Sequence, residues 1–200
     1  MFTGIVEEIG ILREVRPTDQ GVELTVQAHR VLEDAKIGDS IAVSGVCLTV
    51  VDLVSEAFRV DVVAETLRRT TLGAVSPGAR LNLERAVTLQ TRLGGHLVSG
   101  HVDGVGTVEE VGFEGDSAVV EVRVPAPLQK YIAEKGSVAV DGVSLTVMGV
   151  TEKGFRVALI PHTQKETTLG ELRSGSRVNL EVDVVARYVE RLLRGGHEVK

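Results

Sequence analysis

The chain of 200 residues carries a formal net charge of −6, with 43% hydrophobic and 25% charged residues, which is typical of a globular protein. It contains no cluster of basic residues to bind nucleic acid or an anionic membrane, and no run of about 18 apolar residues that would span a bilayer. The chain has one cysteine, Cys47, so it cannot form an internal disulfide framework. This cysteine and an N-terminus unlike a signal peptide predict a cytoplasmic protein.

The first half of the chain predicts a series of short strands. Segments rich in Val, Ile, Leu and Thr cover residues 22–28, 40–44, 47–54 and 58–63. The alternation Val22-Glu23-Leu24-Thr25-Val26 has the period of a strand with one buried face. Two short helical segments are predicted at residues 30–36 and 65–69. Since Gly-containing turns separate the strands, antiparallel pairing is expected.

The second half predicts the same series again. Strands are expected at residues 118–124, 137–140, 143–150 and 155–160, and short helices at 126–133 and 163–166. A longer helix is predicted from 184 to 194, because apolar residues recur at helical spacing there. Asp183 is a candidate cap for its start, and Gly195-Gly196 would end it. This helix would pack either on its own barrel or on a neighbouring subunit.

Three motifs occur twice in the same order. Gly-Val-x-Leu-Thr-Val occupies residues 45–50 and 142–147, Thr-Thr-Leu-Gly occupies 70–73 and 167–170, and Arg-x-Asn-Leu-Glu occupies 80–84 and 177–181, at a constant offset of 97 residues. Such self-similarity predicts a duplicated all-β module, divided into residues 1–96 and 97–183, with a helix and tail at 184–200. Many short strands in a small module favour a closed barrel, which leaves no exposed sheet edge.

Polar residues that only one copy has are candidates for function, because the shared fold does not require them. They comprise Cys47 against Ser144, His101 against Ile5, Asp183 against Ala86, and Lys135. A thiol, an imidazole, a carboxylate and an amine are the groups of acid–base and nucleophilic catalysis. Each also has a structural explanation, such as a buried thiol or a helix cap. The polar residues that both copies share suit either a repeated ligand site or structure: Ser40/Ser137, Thr49/Thr146, Thr66/Thr163 and Asn82/Asn179.

Other signals of cofactor chemistry are missing from the sequence. It has no P-loop motif and no Gly-x-Ser-x-Gly motif, and its His residues lack the spacing of a zinc site. No metal or nucleotide cofactor is therefore predicted.

The opening residues Met1-Phe2-Thr3-Gly4-Ile5-Val6, the tract Gly94-Gly95-His96-Leu97-Val98-Ser99-Gly100-His101-Val102-Asp103 and both Leu-Thr-Val blocks resemble the riboflavin synthase family of lumazine-binding repeat proteins. The resemblance covers essentially the whole chain. It implies two tandem six-stranded antiparallel Greek-key β-barrels, with a C-terminal helix that helps to assemble a homotrimer. It also implies an active site between the N-terminal barrel of one subunit and the C-terminal barrel of its neighbour.

The reaction implied by the resemblance is a dismutation. One molecule of 6,7-dimethyl-8-ribityllumazine donates a four-carbon unit to another, which gives riboflavin and 5-amino-6-(D-ribitylamino)uracil without a metal or redox cofactor. Two similar pockets held face to face would suit a reaction between two copies of one molecule. An association with lumazine synthase, the enzyme that makes the substrate, stays open.

Carried over by position, the resemblance implies two sets of substrate-binding residues. The first set is Phe2, Gly4, Ile5, Val6, Cys47, Leu48, Thr49, Asp61, Val62, Val63, Ala64, Glu65 and Thr66. The second set is Gly100, His101, Val102, Ser144, Leu145, Thr146, Ala158, Leu159, Ile160, Pro161, His162 and Thr163, and Lys135 is expected to reach the ligand across the subunit interface. His162 stands where some relatives carry an acidic residue, and Val46 where some carry a second cysteine.

The candidate catalytic residues have distinct expected roles. His101 would transfer the proton that leaves the C7 methyl group of one lumazine, since the pKa of an imidazole lies near neutrality. Cys47, Ser40 or water would provide or orient the nucleophile that adds to C7 of the other lumazine. Asp183 and Lys135 would tune the charge on the ring. The alternatives are a non-catalytic lumazine- or flavin-binding protein of the same fold and a purely structural β-repeat protein.

Overall fold

A computed structural model, which describes residues 1–195, shows the first half of the chain as a closed β-barrel. Its strands are β1 (Glu8–Thr18), β2 (Gly21–Gln27), β3 (Ser40–Val43), β4 (Val46–Val54), β5 (Ala57–Val63) and β6 (Arg80–Arg85). Neighbouring strands are antiparallel, in the order β1-β2-β5-β4-β3-β6 around the barrel. Because β5 lies between β2 and β4, the chain passes from β2 to β3 without pairing them, as in a Greek key.

The second half forms a barrel of the same kind. Its strands are β7 (Gly104–Glu114), β8 (Ser117–Arg123), β9 (Ser137–Val140), β10 (Val143–Val150), β11 (Gly154–Leu159) and β12 (Arg177–Val182), paired in the same order as in the first barrel. Three short helices, α1 (Ala64–Arg69), α2 (Ala126–Gln129) and α3 (Pro161–Glu166), precede the C-terminal helix α4 (Val184–Gly195). The prediction of two six-stranded antiparallel barrels and a C-terminal helix is confirmed.

The strand pattern alone found four of the six strands in each barrel, and it missed β1, β6, β7 and β12. These four carry charged side chains on their outer faces, and β1 also contains Pro17, so their composition is a weak strand signal. The helix expected at residues 30–36 is wrong, since only one 3₁₀ turn forms at Arg30–Leu32. The helix expected at 126–133 ends at Gln129. Each segment has few buried apolar residues, Val31 in the first and Leu128 and Ile132 in the second, and these offset little of the cost of helix nucleation.

Each barrel has its own apolar core. Valine and leucine side chains point inward from all six strands and surround one phenylalanine, Phe58 in the first barrel and Phe155 in the second, both of which are fully buried. Since successive residues of a strand point to opposite faces, the residues between these core positions line the outside of the barrel. Each candidate site residue of β3, β4 and β5 therefore faces either the core or the outside of the barrel, according to its position along the strand.

The two barrels are joined by a pair of asparagines that reach across the boundary. Asn82 donates from Nδ2 to the carbonyl of Asp141 (2.9 Å) and accepts from the Thr168 amide (2.8 Å). Asn179 donates to the carbonyl of Ser44 (2.8 Å) and accepts from the Thr71 amide (2.7 Å). The duplicated Asn and Thr-Thr-Leu-Gly motifs thus form two equivalent clasps between the copies. This accounts structurally for Asn82 and Asn179, which the sequence left open between binding and structure.

Helix α4 begins as expected at Asp183, whose Oδ1 accepts a hydrogen bond from the Val185 amide (2.9 Å). Its polar side contacts the second barrel through ion pairs of Arg187 with Asp103 and of Glu190 with Lys130. Its apolar residues Val185, Tyr188, Val189, Leu192 and Leu193 are 48% to 75% exposed. The helix extends through Gly195, one residue further than expected, and the predicted stop at Gly196 and the rest of the tail lie outside the described residues. Within residues 1–195 no helix combines the length and apolarity needed to cross a membrane.

Candidate active site

Five of the predicted site residues share the outer face of the first barrel. Ser40 pairs with Thr49 across β3 and β4, and Cys47 pairs with Ala42. Val50 of β4 and Val60 of β5 pair and both are buried, so alternation along the two strands puts Cys47, Thr49, Asp61 and Val63 on the outer face. Thr49, Asp61 and Val63 are exposed, and Cys47 is partly buried. We call Ser40, Cys47, Thr49, Asp61 and Val63 the first patch.

The second barrel presents the equivalent surface. Ser137 pairs with Thr146 and Ala139 with Ser144. Val147 and Val157 pair and are buried, so alternation puts Ser144, Thr146 and Ala158 on the outer face, with Ile160 just beyond the end of β11. We call Ser137, Ser144, Thr146, Ala158 and Ile160 the second patch. The two patches differ in chemistry, because the second has a hydroxyl in place of the thiol and an alanine in place of Asp61.

Each patch is bordered by a chain segment that belongs, by sequence, to the other barrel. The Ser144 amide donates to the Gly4 carbonyl (2.8 Å), and the Cys47 amide donates to the Gly100 carbonyl (2.8 Å). In the same manner Val6 packs against the core of the second barrel and Val102 against that of the first. The resemblance grouped Gly4 with Cys47, whereas within one chain the hydrogen bonds join Gly4 to Ser144 and Gly100 to Cys47.

Only glycine fits at these two crossing points. Gly4 and Gly100 have φ angles of +75° and +78°, in the left-handed region. A Cβ atom on Gly4 would lie 2.6 Å from the Cβ of Ser144, and one on Gly100 would lie 2.6 Å from the Cβ of Cys47. The two glycines therefore bring the backbone against the thiol and the hydroxyl that distinguish the patches.

Two buried carboxylates hold the crossing segments. Glu84 accepts hydrogen bonds from the Thr3 amide (2.6 Å), the Thr3 hydroxyl (2.7 Å) and the Gly4 amide (3.0 Å). Glu181 accepts the equivalent three bonds from Ser99 and Gly100. Burial raises the pKa of the Glu84 carboxyl, although the bonds from Thr3 and Gly4 favour its charged form. Neither glutamate was among the predicted site residues, although both belong to the repeated Arg-x-Asn-Leu-Glu motif, which could have marked them.

A histidine that was not among the predicted site residues lies at the second patch. His96 is buried, and its Nδ1 is 2.7 Å from Oγ of Ser144. Burial lowers the pKa of His96, while the charges of Asp183 and Glu181 act in the opposite direction. The predicted His101 is exposed, and its backbone amide donates to Oγ of Ser99 (3.3 Å). His96 belongs to the tract that carries the family resemblance, but the sequence does not reveal its partner, which is 48 residues further along the chain.

The predicted residues beyond the strand ends lie on α1 and α3. Ala64, Glu65, Pro161 and His162 are exposed, and Thr66 and Thr163 are partly buried. Glu65 forms ion pairs with Arg68 (2.6 Å) and Arg69 (3.4 Å), and its bond with Arg68 lowers the pKa of the Glu65 carboxyl. The two copies thus place a carboxylate and an imidazole at equivalent positions.

Other predicted residues face the interior. The side chains of Leu48, Val62, Leu145 and Leu159 belong to the barrel cores, so only their backbone groups are oriented for a ligand on the outer wall. Phe2 is 1% exposed and pairs with Val98 in a short antiparallel bridge between the barrels. Its ring packs with Ala42 and Ala139, and Cys47 packs against that cluster.

Lys135 and Asp183 occupy two different settings. Lys135 is exposed at the turn before β9, where its backbone adopts φ +64° and its amide donates to the Val147 carbonyl (2.9 Å). Asp183 is half-buried, caps α4 and acts electrostatically on His96. The helix-cap explanation of Asp183 and its candidate place in the site are therefore both compatible with its position.

Predicted site residues line several separate open clefts in one chain. His101 and Val102 line a cleft of about 960 Å³ beside α4, Ile5 lines one of about 530 Å³, and Asp61, Val62 and Val63 line one of about 330 Å³. Among residues 1–195 no group of three or more His, Cys, Asp and Glu side chains is arranged to hold a metal ion. The groups that the patches do offer are hydroxyls, a thiol, carboxylates and imidazoles, which suit hydrogen bonding to a polar organic molecule and proton transfer.

Comparison with known families finds one match for each of the two barrels. The family model described as the lumazine binding domain matches the chain twice, over residues 3–86 and 99–183. The riboflavin synthase of Mycobacterium tuberculosis is 52% identical, with 97% of this chain and 98% of the relative covered. The riboflavin synthase of Bacillus subtilis is 42% identical, with 100% of this chain and 93% of the relative covered.

Solved structures give the same fold. LumP complexed with riboflavin superimposes with a TM-score of 0.85 at 27% identity, covering 91% of this chain and 99% of LumP. LumP complexed with 6,7-dimethyl-8-(1'-D-ribityl) lumazine superimposes with a TM-score of 0.82 at 26% identity, with the same coverage.

Proposed function

The chain belongs to the riboflavin synthase family, and we propose that it is a transferase that converts two molecules of 6,7-dimethyl-8-ribityllumazine into riboflavin and 5-amino-6-(D-ribitylamino)uracil. The observation that carries this proposal is the pair of equivalent but chemically different patches. A dismutation needs two sites that bind the same molecule and treat it differently. Cys47 and Ser144 occupy equivalent strand positions, as do Asp61 and Ala158, so the two sites share a shape and differ in their groups.

We propose that each patch binds one lumazine. Backbone groups of the crossing segments and of the strand ends hydrogen-bond the pyrimidinedione edge, and the hydroxyls of Thr49 and Thr146 and the carboxylate of Asp61 bind the ribityl chains. Glu65 and Thr66, and their counterparts His162 and Thr163, extend the two sites. The support is that these residues lie on or beside one outer face in each barrel.

The proposed roles of the reactive groups follow their positions. His101, exposed beside the first patch, moves the proton of the C7 methyl group. Cys47 or Ser40, on the first patch, provides or orients the nucleophile at C7 of the other lumazine. Lys135 and Asp183 adjust the charge near the ring, Lys135 from the neighbouring subunit. Two carbon–carbon bonds form between the substrates, and the two carbon–nitrogen bonds that hold the four-carbon unit in the donor break. The donor leaves as 5-amino-6-(D-ribitylamino)uracil, so the atoms balance between the two lumazines and no external oxidant or metal is needed.

The catalytic unit that we propose is a homotrimer with sites between subunits. Two features support it: the apolar residues of α4 lie exposed in one chain, and the patches include exposed apolar side chains such as Val63 and Ile160, both at least 50% exposed. A neighbouring subunit that covers them would also bring the first patch of one chain against the second patch of the next. Such a site would exclude water and hold the two lumazines in a fixed orientation.

The proposal includes a division of the chain and a location. We propose that the lumazine-binding barrels correspond to residues 1–96 and 97–183 and that α4, which begins at Val184, is the trimerisation helix. We also propose a cytoplasmic location, because the single cysteine, Cys47, is free and fits a reducing compartment.

Incubation of the purified protein with the lumazine as sole substrate tests the function. The appearance of riboflavin fluorescence, with one uracil product formed for each riboflavin, supports the enzyme. Lumazine that binds and stays unchanged would support the non-catalytic binding protein, and lumazine that does not bind would leave only a structural repeat. A parallel incubation with Cys47→Ser and His101→Ala tests the assigned groups.

A further inference from the structure

The two crossing points between the barrels share most of their hydrogen bonds and differ at His96. The backbone bonds at Gly4 and Gly100 match, and so do the carboxylates of Glu84 and Glu181. Ser144 has an additional partner in Nδ1 of His96. Within residues 1–195 the Cys47 thiol, at the equivalent position, makes no side-chain hydrogen bond and is free. The imidazole is therefore a source of asymmetry that the duplicated fold does not supply.

His96 is fixed from two sides. Its backbone amide donates to the Thr3 carbonyl (3.1 Å), in the crossing segment that borders the second patch. Its side chain is 8% exposed, and its Nε2 atom is buried without a hydrogen-bond partner. Burial lowers the pKa of the His96 imidazole, which favours its neutral form.

A neutral imidazole carries one N–H, and its position decides what Ser144 does. A proton on Nε2 would leave a buried donor unpaired, which is rarer in proteins than a buried acceptor that lacks a partner. A proton on Nδ1 is donated to Oγ of Ser144 at 2.7 Å. In that tautomer the Ser144 oxygen has accepted one bond, and its own O–H is free to donate to another group.

We propose that His96 is a positioning residue: it donates from Nδ1 to Ser144 and thereby makes the Ser144 hydroxyl a hydrogen-bond donor to an acceptor atom of the lumazine in the second patch. The proposal rests on the proposed function for the identity of the ligand. The first patch offers only a thiol at this place, which is a weak donor. The lumazine in the second patch therefore accepts a hydrogen bond from Ser144 that the lumazine in the first patch does not receive. The two substrates are polarised differently as a result.

Nitrogen-15 NMR of the histidines in the wild-type protein tests the tautomer without any turnover. The expected spectrum has His96 with Nδ1 protonated and Nε2 unprotonated at pH 7, and Ser144→Ala should weaken this preference. A spectrum with Nε2 protonated in the wild-type protein would overturn the proposal. Since this measurement needs no reaction, it stays decisive if the protein makes no riboflavin, an outcome that would reject only the proposed function.

Steady-state kinetics test the consequence for catalysis. His96→Leu should lower kcat about tenfold, while His96→Asn, whose side-chain amide can donate from the place of Nδ1, should stay within about threefold of the wild type. In a Ser144→Ala background His96→Leu should have no further effect, and in a Cys47→Ser background it should keep its full effect. An equal loss in the Ser144→Ala background, or an Asn variant as impaired as the Leu variant, would contradict a role through Ser144. His29→Gln, at an exposed histidine, serves as the matched control with unchanged kinetics.

Discussion

Removal of the Asn82 side chain should loosen the junction between the barrels. Asn82 is 1% exposed and makes two hydrogen bonds across the boundary, to the Asp141 carbonyl and from the Thr168 amide. Asn82→Ala loses both bonds, at about 1 kcal/mol each, and leaves two backbone groups without partners. The expected loss in the free energy of unfolding is about 2–4 kcal/mol, which at a urea m-value of about 2 kcal/mol/M lowers the midpoint by about 1–2 M.

Urea unfolding followed by circular dichroism measures this loss. Asn179→Ala should lose about the same amount, because its bonds to Ser44 and Thr71 repeat those of Asn82. Gln90→Ala, which removes an exposed polar side chain, is the control and should leave the midpoint unchanged. If Asn82→Ala behaved like Gln90→Ala, the clasp between the copies would not contribute to stability and this explanation of the repeated asparagine would be wrong.

Three further predictions concern the crossing segments, the pH dependence and the reactive groups. Gly4→Ala should lower the melting temperature more than Gly38→Ala does, because both glycines have positive φ but only the Cβ at Gly4 would clash; equal effects would reject the close approach. Burial raises the pKa of Asp141 to about 7, above its value in the unfolded chain, so the free energy of unfolding should fall as the pH rises from about 4 to about 7. Asp141→Asn should flatten that slope, and a slope that persists in the variant would contradict the assignment. Cys47→Ser and His101→Ala should each lower kcat by at least about tenfold with unchanged urea midpoints, and full turnover by both would reject their assigned roles.

The duplicated barrels could be predicted because the sequence repeats its motifs at one spacing. The alternation of faces along a strand sets Cys47 and Thr49 of β4 on one side of the barrel wall, and alternation along β5 sets Asp61 on the same side. The strands β1 and β6 escaped prediction, since their burial depends on neighbours that are far away in the chain: Ile9 of β1 pairs with Asn82 of β6. A pattern read along the chain does not contain that pairing.

The sequence predicted the types of residue in the site better than the contacts between them. Comparison of the copies found Cys47 and Ser144 because they occupy equivalent positions and differ. It did not find that Gly4 meets Ser144 and Gly100 meets Cys47, since those backbone contacts arise from the way the barrels pack. His96 escaped for the same reason, as an isolated histidine has no spacing that reveals its partner.

The number of lumazine molecules that one chain binds tests the paired-site account most directly. Isothermal titration with a lumazine analogue that lacks the C7 methyl group, and so cannot react, isolates binding from chemistry. The account predicts two equivalents per chain with unequal affinities, of which Thr146→Val weakens one and Thr49→Val the other. Binding of a single lumazine per chain would contradict the account. So would a result in which Thr146→Val and Thr49→Val weaken the same binding event.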